Sequence, residues 1–308
     1  MLKFHDYASP DGSAQLFVDL CQPTAEELAQ ASSRVGFSIP DRAGISEIEY
    51  SSRVRRLGEE GLVLNLPRFQ YESAQKVAPL GFVLAPHVLV IQREYEVEAL
   101  AGLGAELDGN PCTGPVDLFL RAVERIVDRL ADLLESLETR VSDTAREAFE
   151  TPKGRRATRH LERMLHDVGA MGRRIGALHN TLHGLLRMAT YLDEATPDWF
   201  DEDQDKRIKL VRKDLTSLGE FEQQLGDRLE FLLDSVLGLI NMDQNEVMKV
   251  MAVASVVGIP PTVLVGVWGM NFAHMPELQW RGGYWIALAA IAASILVPLA
   301  WFRRRGWV

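Results

Sequence analysis

At 308 residues and a formal net charge of −10, the chain lacks the basic surface that a phosphate backbone requires, which excludes nucleic acid as a partner. Charged residues make up 25% of it and apolar ones 47%, ordinary globular values, so its hydrophobicity is concentrated rather than spread. Its two cysteines, Cys21 and Cys112, lie far apart without a CxxC or Cys/His spacing, which points to a reducing compartment and no structural zinc.

The N-terminal MLKFHDYASPDG has no basic stretch followed by an apolar run, so no signal peptide is expected and the soluble part is placed in the cytosol. Residues 1–114 read as a mixed α/β domain. GLVLNLP (61–67) and HVLVIQRE (87–94) are β-rich runs set off by Pro, Gly and Asn turns, and TAEELAQASSRVG (24–36) opens with a Thr cap and a Glu three residues on, a helix start. From Pro115 the pattern changes. Phe119, Val123, Ile126, Leu130, Leu133 and Leu137 recur at steps of three and four, the apolar face of a long helix. A second helix is expected over about 158–192, followed by the acidic turn PDWFDEDQD.

Leu218, Phe221, Leu225, Leu229, Leu232, Val236 and Leu239 then form another stripe, and no proline interrupts Lys206 to Ile259. This predicts one helix of over 60 residues, ~90 Å long, its stripe packed within the chain, against neighbouring copies, or both. Residues 115–247 are thus a long-helix region, and 248–308 a membrane hairpin with a basic tail. Val250–Trp268 and Tyr284–Phe302 are each 19 residues without a formal charge. At ~1.5 Å per residue each spans roughly 28 Å, close to the hydrocarbon thickness of a bilayer. Lys249 and Arg303–Arg305 flank the spans, whereas the connecting loop holds only Glu277, Arg281 and His274, so both termini are expected in the cytoplasm. Trp268, Trp280, Tyr284, Trp285, Trp301 and Trp307 sit near the span ends as an interfacial belt. One hairpin cannot enclose a pore alone: the chain is either an anchored protein or one subunit of an oligomeric channel.

One face of the first span is unusual. Asn245, Met248, Ala252, Ser255, Ile259, Thr262 and Gly266 lie three or four apart, while Val and Leu fill the other faces. Small, weakly polar residues on one stripe mean either close helix packing or a water-accessible pore wall. No carboxylate lies on the stripe, so a pore there would touch a hydrated ion rather than strip it.

The loop GMNFAHMPELQW resembles that of the CorA family of divalent-cation channels, in which Gly-Met-Asn is followed by Met-Pro-Glu-Leu: here Gly269, Met270, Asn271, then Met275, Pro276, Glu277, Leu278. The likeness extends upstream through NEVMKV (245–250) and Pro260–Thr262, and downstream to RRRGW. It is sharp over about 65 residues and architectural elsewhere. The resemblance implies a funnel-shaped homo-oligomer, a pentamer, in a bacterial inner membrane. Such a protein would carry Mg²⁺ as substrate and regulatory ligand, with Co²⁺ or Ni²⁺ as further ions, and would have no covalently bound cofactor and no enzymatic activity. Asn271 would form the selecting ring, its amide oxygens accepting hydrogen bonds from the ion's waters, with Gly269 and Met270 shaping the turn; this suits Mg²⁺, which dehydrates reluctantly. Thr262 and Asn245 would be further polar rings, Met248, Met251 and Ile259 apolar constrictions, and Glu277 a negative ring at the outer mouth. Departures from the family pattern are Trp268 where Tyr is usual, the pair Pro260–Pro261 for one proline, and Ile259 where Met is common. A ZntB-like zinc transporter is the near alternative, against which Met270 counts, since those relatives usually carry GVN or GIN. A tethered enzyme or scaffold is the distant one, and residues 1–240 show no nucleophile–base pairing and no Walker-type phosphate loop.

Two other groups have metal-ligand chemistry. Asp198, Asp201, Glu202, Asp203 and Asp205 have the charge for a regulatory divalent site, or form a solvated turn. His179 and His183 are four apart on a helix, a spacing that holds a metal, or are ordinary helix-surface histidines; His160, Glu162 and His166 do not share a face.

Overall fold

The computed structural model describes residues 1–10, 12–47, 49, 53–58, 61–71, 76–108, 112–150, 155–194 (backbone alone for 155–159), 197–270, 275 and 280–307. It divides into two compact units, Met1–Phe149 with His166–Leu233, and Glu150–Leu165 with Asp234–Val308.

The first unit is built on a six-stranded sheet, β1 (Leu2–Ala8), β2 (Ala14–Cys21), β3 (Val54–Leu57), β4 (Gly61–Tyr71), β5 (Lys76–Ala85) and β6 (Val88–Arg93), in the order β1-β2-β6-β5-β4-β3. All neighbours are antiparallel except β2 and β6, which run parallel with Val18 opposite Val90. β4 and β5 are buried on both faces, as their near-continuous apolar sequence requires. Helix α1 (Ala25–Val35) covers one face, packing Leu28, Ala31 and Val35 on Val18, Leu20, Val63, Val83 and Val90. It starts in a capping box, Glu27 N–H to Thr24 Oγ1 at 3.2 Å and Thr24 N–H to Glu27 Oε2 at 2.9 Å, and ends on Gly36 at φ +82°. The short α2 (Arg42–Ser46) seats Ile45 over Gly81, where a Cβ would lie 2.9 Å from Ile45 Cγ2.

The opposite face receives two long helices, α3 (Pro115–Glu150) and α4 (Arg155–Glu194), and a third, α5 (Glu202–Trp268), packs on both. Phe119 meets Phe82 edge-on, ring centres 5.4 Å apart. Strand β4 gains one residue between Leu66 and Phe69, a bulge that accommodates Pro67. Just beyond it, Gln70 N–H donates to Thr181 Oγ1 on α4 at 3.0 Å. Gly184, one turn on, lets the helix approach so closely that a Cβ would stand 2.9 Å from Leu66 Cδ2.

The helices pair through a heptad seam. On α4 the buried line is Val168, Met171, Ile175, Leu178, Leu182, Leu185, Ala189 and Leu192; on α5 it is Ile208, Val211, Leu215, Glu222, Leu225, Leu229 and Leu232. Contacts set the directions. His179 meets Glu222 and Gly172 faces Leu229, seven residues back on α4 for seven forward on α5, so these two run antiparallel. Asp117 pairs with Arg207 and Glu138 with Arg228, both steps being three heptads, so α3 and α5 run parallel. The expected stripe on α5 is buried at Leu225, Leu229, Leu232 and Val236, whereas Leu218, Phe221 and Leu239 are only partly covered and buried Glu222 occupies the seam beside Phe221.

An ionic cluster ties the starts of α3 and α5. Arg207 donates through Nη1 to Asp117 Oδ1 at 2.6 Å, and through Nε and Nη2 to both oxygens of Glu124 at 2.8 and 2.7 Å. Arg121 also reaches Asp117, at 2.9 Å. Burial pushes the Asp117 carboxyl upward, but the bonds from Arg207, the Thr113 N–H and Arg121 outweigh it and hold the group below the usual carboxylate range.

Candidate ion pathway

In the second unit, α5 passes through Val250–Trp268 as one helix, and α6 (Gly283–Arg304) follows the loop. Both helices contain an apolar window of mean hydropathy 2.1, and those windows are 0% and 6% buried. That exposure separates them from the core helix of a soluble protein, which passes the same length test while lying inside. Val250, Met251, Ile259, Val263 and Val265 are each more than half exposed, at 56–63%, an apolar surface that lipid or other copies must cover.

Asn245, Met248, Met251, Ser255, Ile259, Thr262 and Gly266 are all exposed. At about 100° per residue they lie within roughly 60° of one line along the helix. The partly covered residues, Val253, Val257, Pro260, Pro261, Leu264 and Trp268, centre on the opposite side. The small and polar stripe is therefore kept outward. Ser255 Oγ donates to Met251 O at 2.9 Å and Thr262 Oγ1 to Gly258 O at 2.8 Å, which satisfies each hydroxyl proton and leaves its lone pairs free as acceptors. Pro260 and Pro261 lie within the helix and lack N–H groups, so the carbonyls of Val256 and Val257 lose their usual donors.

The helix closes with Gly269 N–H on Val265 O at 2.9 Å and Met270 N–H on Val267 O at 3.3 Å. A Cβ at Gly269 would stand 3.1 Å from Val265 O, so this residue keeps the exit turn tight. Asn271 and Glu277, the expected selecting and outer-mouth residues, lie outside the described residues. At the far end, α6 stops in a Schellman turn: Gly306 at φ +70°, Gly306 N–H to Arg303 O and Trp307 N–H to Phe302 O, with the Trp307 ring stacked on Phe302. Arg305 lies over the Trp301 ring at 4.4 Å, which keeps aromatic and cationic groups together at this end.

The acidic group before α5 is occupied within the chain. Asp201 and Gln204 form a reciprocal cap, Gln204 N–H to Asp201 Oδ1 at 2.7 Å and Asp201 N–H to Gln204 Oε1 at 3.1 Å. Glu202 and Asp203 pair with Lys206, and Asp205 with Lys209 at 2.6 Å, all favourable at a helix N-terminus. Asp198 is exposed. Among the described residues no group of three or more His, Cys, Asp or Glu is arranged to hold a metal ion. His179 and His183 do come together, ring centres 4.2 Å apart, with Glu222 behind His179. Burial, then His179 and Arg187, push the His183 imidazolium pKa down despite Glu222. Sequence patterning gave no sign of this carboxylate, because Glu222 stands at a position of the heptad where an apolar residue is expected.

A sheet-based α/β unit, a heptad-paired helical region and a final long helix running into the first of two terminal apolar helices define a two-span membrane protein. The model of the family described as CorA-like Mg²⁺ transporter protein matches residues 13–304, and the chain belongs to that family. The magnesium transport protein CorA of Yersinia pseudotuberculosis is 29% identical over 312 residues, covering 97% of this chain and 94% of that one. The complete structure of the CorA magnesium transporter from Methanocaldococcus jannaschii superposes with a TM-score of 0.78 over 100% of this chain and 99% of that one, at 17% identity. The ZntB cytoplasmic domain from Vibrio parahaemolyticus superposes at 0.58 over 80% of this chain and 98% of that one, at 11% identity, a likeness of fold.

Proposed function

We propose that the chain is one subunit of a homo-oligomeric channel that carries Mg²⁺, and with it Co²⁺ or Ni²⁺, passively across the bacterial inner membrane. The observation that carries the reading is the division of α5 into a partly covered apolar side and an opposite exposed side bearing Asn245, Ser255, Thr262 and Gly266. Arranged around an axis, preferably in fives, copies of that stripe line a path with hydroxyl and amide acceptors for the waters of a hydrated ion. Met248, Met251 and Ile259 provide levels that close by dewetting. Asn271 selects at the outer end of the path and Glu277 concentrates cations there, with both termini on the cytoplasmic side. The Yersinia relative is a magnesium transport protein, which supports the choice of ion, and Met270 favours it over a zinc-transporting relative.

Two charges crossing 100 mV gain about 4.6 kcal/mol, so the membrane potential drives entry without a nucleotide. The test is flux into liposomes holding the purified protein, with Mg²⁺, Zn²⁺ and pH dyes read together. Potential-driven Mg²⁺ entry without acidification is expected, and it falls to background in Asn271→Ala that assembles normally. Zn²⁺ entry coupled to protons, or undiminished Mg²⁺ flux in that variant, overturns the reading.

A further inference from the structure

We infer that His179 and His183 form a binding site for a borderline transition-metal dication, Ni²⁺, Co²⁺, Cu²⁺ or Zn²⁺, with Glu222 as the carboxylate that orients it. The inference concerns the first unit alone and does not rest on the transport reading. The two rings leave the same face of α4 one turn apart, with centres 4.2 Å apart at a 58° tilt. Two imidazoles sharing one ion at a metal–nitrogen distance of ~2.1 Å, at the right angle of the tetragonal geometry that Ni²⁺ and Cu²⁺ take, place their centres about 4.5 Å apart. The rings therefore need to open by only a few tenths of an ångström, and both are exposed enough to do so.

The second observation is Glu222. A carboxylate in the seam of a coiled coil is costly unless it is met, and its side chain is only 8% exposed. It is met by His179 Nδ1, at 2.9 Å from Oε2. A carboxylate behind one ring nitrogen fixes the tautomer with the proton on Nδ1 and turns the lone pair of Nε2 outward, the arrangement found behind metal-ligating histidines. With two protein ligands the remaining positions fall to water, in keeping with the absence of a closed three-residue ligand set among the described residues. Neutral nitrogen ligands favour the later first-row ions and discriminate against Mg²⁺, which prefers oxygen. The site would thus respond to dications of a different kind from the abundant one.

The competing account of Glu222 and His179 is a buried ion pair that only fixes the register of α4 against α5. The experiment is equilibrium dialysis of the full-length protein in detergent against Ni²⁺ with a large excess of Mg²⁺, which occupies oxygen-lined sites. Wild type is expected to retain one more Ni²⁺ per chain than His179→Ala or His183→Ala, and as much as His166→Ala. Glu222→Gln is expected to weaken retention roughly 10–100-fold without abolishing it. His183 is exposed, so its removal leaves the fold intact, which circular dichroism confirms; His179→Ala leaves Glu222 unmet, so His183→Ala carries the comparison. Equal retention in wild type and the single-histidine variants overturns the site. So does Ni²⁺ that Mg²⁺ displaces, or an unweakened Glu222→Gln, which would return that carboxylate to the register role.

Discussion

Replacing Asp117 by Asn keeps the shape of a side chain that accepts hydrogen bonds from Arg207, Arg121 and the Thr113 N–H, and removes its charge. A charge-assisted bond contributes a net ~1.5–3 kcal/mol. Two arginines are affected, but Arg207 is 30% exposed and keeps Glu124, and Arg121 is 26% exposed, so solvent compensates part of the loss. We expect about 2–3 kcal/mol at neutral pH. For a domain of roughly 150–250 residues each kcal/mol moves the melting temperature by about 2–4 °C, so the variant should melt about 4–12 °C lower. The assay is thermal unfolding of the purified protein in detergent, followed by circular dichroism across pH. The folded-state pKa of Asp117 is depressed, so its stabilisation is complete above the unfolded value near ~4 and is lost as pH falls through the lower folded value. The gap between wild type and variant should therefore close below pH ~4. A variant melting within ~1 °C of wild type at neutral pH, or a gap unchanged in acid, refutes the assignment of this cluster as the tie between α3 and α5.

Thr181→Val removes the hydroxyl that receives Gln70 N–H beside the β4 bulge. It should cost ~1–3 kcal/mol, and hydrogen exchange at Gln70 should quicken by at least tenfold if that bond protects it. Gly184→Val forces a branched side chain against Leu66, where even a Cβ would lie 2.9 Å away, so a loss of ~1–3 kcal/mol and a lower melting point are expected; unchanged melting would mean α4 shifts freely on the sheet. Thr24→Ala opens the capping box of α1 and should lower stability by ~1 kcal/mol, with proteolytic nicking near residues 22–28 as the readout. Gly269→Ala crowds Val265 O at the end of α5 and should reduce liposome Mg²⁺ flux while assembly, read by gel filtration, is kept; full flux would show that the exit turn tolerates a side chain.

Much of the helical region was legible because its period is a property of the residues themselves. Phe119, Val123, Ile126 and Leu130 repeat at three and four and all are buried. The helix start at Thr24 was equally plain, since a reciprocal cap is a local device. What escaped the sequence were relations between distant segments. The parallel pairing of β2 with β6 joins runs far apart in the chain, and the edge strand β1 alternates too weakly to announce itself. Glu222 escaped for a different reason: its place in the seam depends on His179 from another helix. For the acidic residues before α5 the sequence left a cation site and a solvated turn both open, since charge alone does not separate them; Asp201 is bound to Gln204 and its neighbours to lysines one turn on. For the outward side of α5 the sequence shows which residues share a line. What stands opposite them is decided by assembly, which no single chain encodes by its own packing.

The adjacent prolines of α5 leave Val256 and Val257 with carbonyl oxygens whose ordinary donors are gone, while the hydroxyls of Ser255 and Thr262 are already given to other carbonyls. A carbonyl left dry costs about 1–3 kcal/mol. Pro260 and Pro261 lie on the partly covered side, away from Ile259, so the demand for a donor falls on the packed face of the helix and leaves the apolar level at Ile259 untouched.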